Sequence, residues 1–100
     1  MILLHVYYEL FDGQRDAFMN VLNEYQIPQK SKAEAGNHAY DYYFPVGEDN
    51  KLFLLEKWES EEAFEAHKQS EHFLKLQEIK KDYIKSAKLD IFPIKKRLTA

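Results

Sequence analysis

Three side chains able to move protons or hold a flat molecule crowd one short stretch: Trp58, His67 and His72 in WESEEAFEAHKQSEHF, residues 58–73. An imidazole inside a pocket titrates near neutral pH and exchanges a proton with a bound ligand, while an indole offers a flat apolar wall. A plainer account makes them two core histidines bonded to carbonyls and an indole plugging the end of a strand. On one continuous helix, five residues turn the two imidazoles about 140° apart. That differs from the i, i+4 pair of a helical zinc site, so a shared metal is not expected. Glu56, two residues before the tryptophan, shares its strand face. A carboxylate between Leu54 and Trp58 on a covered face needs a partner, and is either a structural acceptor or a site residue.

These residues need elements to hold them. Ile2 to Tyr8 is apolar or aromatic almost throughout, the pattern of a short strand covered on both faces. After Asp12-Gly13, the spacing of Ala17, Phe18, Val21, Leu22 and Tyr25 predicts a helix, which Pro28 is expected to end, leaving Gln29 to Gly36 as a loop. Ala39 to Val46 and Lys51 to Glu59 predict two strands joined at PVGEDN as a hairpin. Ser60 before Glu61 and Glu62 marks a helix start. Ser70-Glu71 repeats that signal, so the helical region is expected to break there. Lys88 to Ile94 supplies a last strand with Pro93 near its end. The order strand, helix, strand, strand, helix, strand predicts an α+β, ferredoxin-like βαββαβ sandwich with an antiparallel sheet.

Alternation assigns Leu52, Leu54, Glu56 and Trp58 to one face, and Phe53, Leu55 and Lys57 to the other. Both faces are greasy, yet helices cover only one. Leaving about six large side chains, among them Leu3, Tyr7, Phe53 and Leu55, in water forfeits roughly 1.5 to 3 kcal/mol each, comparable with the whole stability of such a domain. A homodimer through the sheet faces is therefore expected. Tyr40 and Tyr42 lie on the neighbouring strand, with their register open, and His5 in the first strand is either packed, at an interface or in the pocket lining.

At 100 residues with three prolines and three glycines, the chain is expected to be one domain, residues 1–100. Its net charge of −3, from 14 basic and 17 acidic residues, argues against a nucleic-acid partner. The basic run Lys95 to Arg97 is read as a solvated tail. With no cysteine there are no disulfides, thiolate metal sites or thiol chemistry. The run ILLHVYYELF is too short for a bilayer and lacks a basic leader, so no membrane partner and a cytoplasmic location are expected. Phosphate-loop, nucleophile-elbow, dinucleotide and HExxH motifs are all missing from the sequence.

Taken together, AEAGNHAYDYYF, the hairpin and FLLEKWESEEAFEAHKQSEHF resemble the antibiotic biosynthesis monooxygenase family. That family's pattern is an E-x-G turn, a strand Tyr, E-x-W, then A-x-x-x-H and H-F. The matching residues are Glu34, Gly36, Tyr40, Glu56, Trp58, Ala63, His67, His72 and Phe73. The resemblance implies a dimeric α+β barrel with a pocket between helices and sheet in each subunit. It also implies oxidation of a small phenolic or quinol substrate by O2 without metal, flavin, haem or other cofactor. His67 or His72 would take the phenol proton and Trp58 would wall the site. Glu56, Tyr40, Tyr42, Asn37, Phe73 and His5 would complete the substrate-binding lining. Alternatives are a non-catalytic, dimeric ligand-binding or stress-response barrel, and a sugar-phosphate isomerase of a quorum signal, to which EAGN at Glu34 to Asn37 is similar but for which no phosphate contacts are evident. Haem degradation fits least. Relative to that branch the first strand lacks an Asn, His67 stands at the second Trp position and Gln77 where the haem ligand belongs. Leu54 replaces an Asn of the polyketide-tailoring branch, which argues against an aromatic polyketide.

Overall fold

In a computed structural model, which describes residues 1–95, the elements run in the order β1 (Ile2–Leu10), α1 (Arg15–Glu24), α2 (Ile27–Lys32), β2 (Asn37–Tyr43), β3 (Lys51–Trp58), α3 (Glu61–Lys68), α4 (Glu71–Tyr83) and β4 (Ile84–Pro93). Of the basic run at Lys95 to Arg97, residues 96 and 97 lie outside the described residues. The four strands form one sheet in the order β2-β3-β1-β4, every neighbouring pair antiparallel. This is the ferredoxin-like α+β arrangement that the element order predicts. Among the described residues, no helix is long and apolar enough to cross a membrane.

Alternation in the two central strands decides which side is buried. Ile2, Leu4, Val6, Tyr8 and Leu10 of β1, with Leu52, Leu54, Glu56 and Trp58 of β3, face the helices and are buried. Phe18 and Leu22 of α1, Ile27 of α2, Phe64 of α3, and Leu76 and Ile79 of α4 complete that core. On the outer face His5 packs edge-on against Phe53 and Phe92, with ring centroids 5.2 and 5.1 Å apart, and Tyr7 and Tyr43 flank the same phenylalanine. Tyr7, Tyr43 and Phe92 are exposed. A cavity of about 670 Å³ opens on this side, lined by Tyr7, Tyr43, Phe44 and Phe53 among others.

Two expectations about local structure are corrected. Pro28 does not close a helix; it sits in the first turn of α2, where its missing N–H leaves no intrahelical bond unmade. The chain break falls earlier, at Gln26, whose φ of 56° is left-handed. The last strand starts at Ile84 rather than Lys88, following α4 without a loop. Leu89 and Ile91 lie across from Val6 and Leu4, on the helix side, yet remain exposed because the helices stop short of this edge strand. The break at Ser70 appears as expected: Ser60 and Ser70 each cap a helix, accepting the N–H of Ala63 and of Phe73 at 3.2 Å.

Candidate functional site

Elements distant in sequence meet at the end of the sheet where β3 finishes. Gly36, with φ +83°, turns the chain into β2 so closely against α3 that a Cβ there would stand 2.8 Å from the Ala63 methyl. Only glycine takes that conformation and that proximity without strain. The turn also fixes β3, since the Glu59 N–H donates to the Gly36 carbonyl at 2.7 Å. The E-x-G and A-x-x-x-H motifs thereby read as two contacts: Gly36 lies on Ala63, and Glu34 meets His67.

The two histidines converge. α3 stops at Lys68, and Ser70, donating its hydroxyl to the His67 carbonyl at 2.7 Å, starts α4 in a new direction. Because they belong to separate helices, the 140° divergence expected of one continuous helix does not apply, and both imidazoles point at Glu34. Its Oε2 accepts His67 Nδ1 at 2.5 Å and His72 Nε2 at 2.8 Å. The acceptor is therefore a carboxylate and not the backbone carbonyls of the plainer account. One carboxylate oxygen and two imidazole nitrogens lie within 4.8 Å of one another.

Around this trio the interior is aromatic. His67 lies 4.7 Å from the Trp58 ring, 5.2 Å from Phe73 and 5.8 Å from Tyr40, measured between centroids. Glu56, across from Tyr40 in the sheet, accepts the indole N–H of Trp58 at 3.0 Å and comes within 3.9 Å of His67 Nε2. Burial pushes the Glu56 carboxyl up to about 7, against the indole bond, which favours the charged form. Burial also draws the His67 imidazole below its ordinary value, against the opposing pull of Glu34. Lys80 of α4 is lowered by burial in the same way, opposed by Glu56. Burial thus disfavours the charged forms of Glu56, His67 and Lys80 alike.

The structure brings together His67, His72, Trp58, Glu56, Tyr40 and Phe73. Tyr42 adjoins Tyr40 at 5.9 Å, and the hydroxyls of both tyrosines are buried without a hydrogen-bond partner among the described residues. Two expected lining residues stand elsewhere. His5 is on the opposite face of the sheet, because β1 alternation places it with Tyr7 and not with Leu4 and Val6. Asn37 donates its amide to the carbonyls of Ala39, at 3.0 Å, and Lys57, at 3.4 Å, and so stitches the irregular start of β2. Glu34 is the central residue that the sequence reading left out of the site; its signal was the E-x-G turn. Trp58 and Tyr40 are sealed, at 0% and 1% exposure. His72 and Glu34, at 12% and 17%, connect the cluster to solvent. Neither the outer-face cavity nor a smaller one of about 200 Å³ between α1 and α4 touches the trio.

Comparison with known proteins agrees with this arrangement. The sequence profile of the family described as "Antibiotic biosynthesis monooxygenase" matches residues 1–79. A Bacillus subtilis (strain 168) protein named "Putative monooxygenase YcnE" is 37% identical over 73 residues, covering 73% of this chain and 75% of that one. Among solved structures, PA3566 from Pseudomonas aeruginosa superposes with a TM-score of 0.83 at 24% identity, covering 98% of this chain and 94% of the other. A protein titled "Putative antibiotic biosynthesis monooxygenase" from Nitrosomonas europaea gives 0.84 at 21% identity, covering 93% and 97%. The two structures establish the likeness of fold.

Proposed function

Because the chain belongs to the antibiotic biosynthesis monooxygenase family, we propose that it oxidises a small phenol or quinol with O2, using the Glu34–His72 pair as the proton acceptor and no cofactor. One observation carries this reading: a single carboxylate oxygen holds both imidazoles while His72 reaches solvent. An imidazole that donates Nε2–H to a carboxylate presents the lone pair of Nδ1 outward, and the carboxylate stabilises the imidazolium that forms. A hydroquinone approaching beside His72 and Phe73 loses its proton to that nitrogen. The resulting anion transfers electrons to O2; a carbon–oxygen bond forms, the O–O bond breaks, and water leaves. Hydroquinone and O2 then yield a hydroxyquinone and one water, so no outside reductant is consumed. His67 and Trp58 act behind this pair, as a buried positioning residue and an apolar wall.

Members of the family are commonly dimers. The exposed aromatic outer face, with Tyr7, Tyr43 and Phe92, suits a second copy of the chain, and light scattering at micromolar concentration should return twice the chain mass. One residue set, 1–100, forms one domain in this reading.

Oxygen consumption with a panel of hydroquinones tests the chemistry. His72→Phe and Glu34→Gln should both abolish uptake while the fold is retained, and unchanged rates in either variant would remove the proton-transfer assignment. A second reading, a ligand-binding barrel without turnover, is favoured by the complete sealing of Trp58, Tyr40 and His67. Saturable hydroquinone binding without oxygen uptake would decide for it.

A further inference from the structure

We propose that Glu34, His67 and His72 form a site for a divalent transition-metal ion of the Zn2+ or Co2+ class, bound through one carboxylate oxygen and two imidazole nitrogens. Among the described residues this is the one set of three such side chains whose donor atoms come within 4.8 Å of one another. The donor types, two nitrogens and one oxygen, match those that hold zinc and its first-row neighbours with a position left open.

The geometry is close to what an ion needs. Bonds of about 2.0 to 2.2 Å place neighbouring donors about 3.0 to 3.6 Å apart. Glu34 Oε2 now stands 2.5 Å from His67 Nδ1 and 2.8 Å from His72 Nε2, so these two pairs have to open by about 1 Å or less, while the two nitrogens, within 4.8 Å of one another, have to stand no farther apart than about 3.6 Å. His72 and Glu34 lie on the solvent side, which gives an entry path and room for water in the fourth position, while His67 anchors the inner side.

Support behind the donors completes the argument. An ion on His67 Nδ1 requires the ring proton to sit on Nε2, and Glu56 Oε1, 3.9 Å from that nitrogen, has to approach by about 1 Å to accept it. A carboxylate behind a metal-ligating imidazole fixes its tautomer and raises its basicity. Trp58 in turn holds Glu56 through the 3.0 Å indole bond, and Ser70 locks the chain between the two histidines. The surface pair His38–Glu59 has the same two chemical groups without a third donor or such backing, and serves as the internal control.

Binding stands independently of the oxygenase reading. In that reading an ion on His72 Nε2 and Glu34 Oε2 replaces the hydrogen bond through which the carboxylate stabilises the imidazolium, so the same site would inhibit. The test uses Co2+ alone, without substrate, on the full chain. Trp58 is the only tryptophan, and its ring lies 4.7 Å from that of His67, so a paramagnetic ion in the trio quenches its fluorescence. Saturable quenching with one ion per chain is expected, together with a visible Co2+ absorption band from nitrogen ligation. Glu34→Gln and His72→Ala should each weaken binding at least tenfold, whereas His38→Ala should leave it unchanged; circular dichroism shows whether each variant remains folded. Absence of saturable quenching, or quenching lost with His38→Ala and retained in folded Glu34→Gln and His72→Ala, overturns the site.

Discussion

Two histidine–glutamate pairs of the same composition lie near the start of β2, one on the surface and one inside. His38 and Glu59 pair with their side chains 44% and 62% exposed. His67 and Glu34 pair with 2% and 17% exposed, beneath Trp58, Phe73 and Tyr40. Water solvates the outer pair almost as well when it is broken as when it is formed, so its attraction is nearly cancelled. The inner pair has no such substitute, and a lost partner there leaves a buried polar group unsatisfied. What separates a surface clip from a buried cluster is thus the enclosure supplied by distant elements and not the residue types.

The largest expected effect breaks the inner pair. Glu34→Ala removes the acceptor of two imidazoles and should lower unfolding free energy by about 3 to 5 kcal/mol in urea titration; a loss below about 1 kcal/mol would make the two pairs equivalent. Next is the response to pH. Glu56, at about 7 when folded against 4.5 in its ordinary state, favours the folded chain most below pH 4.5, and that advantage disappears as pH rises through 7. Glu56→Gln retains an acceptor for Trp58 and lacks the ionisation, so relative to the parent it should gain about 3 kcal/mol between pH 4.5 and pH 8. His67 works in the opposite sense: its folded value lies below 6.5, so its contribution is present above that pH and fades as pH falls, equally in both proteins.

Gly36→Ala sharpens the comparison by disturbing the enclosure and not the pair. It combines a left-handed alanine with overlap on the Ala63 methyl, and should cost about 2 to 3 kcal/mol by thermal or chemical unfolding. Smallest is His38→Ala, which should change stability by no more than about 0.5 kcal/mol, with any difference removed by added salt.

Much of this architecture is visible in the chain. The alternation of Leu52, Leu54, Glu56 and Trp58 with Phe53, Leu55 and Lys57 fixes both faces of β3, and Ser60 and Ser70 announce the two helix starts. Other features depend on information that local patterns do not carry. Pro28 suits a helix end and a first turn equally well, and the left-handed Gln26 that decides between them is not a glycine. β4 begins without turn residues, since α4 runs directly into it. The meeting of His67 and His72 is set by the angle between two helices across Gln69 and Ser70, which spacing along one helix cannot foresee. Glu34 sits among polar loop residues and becomes significant only when Gly36 docks on Ala63. His5, by contrast, was assignable from β1 alternation alone.

The central position of β3 carries a further consequence. A single peptide unit separates Leu55, looking outward, from Glu56, looking in, so whatever presses on the outer aromatic surface leans on the same backbone that holds the inner carboxylate. Substitutions on the outer aromatic face are therefore felt on the other, and the strand couples that surface to the ionisable cluster beneath the helices.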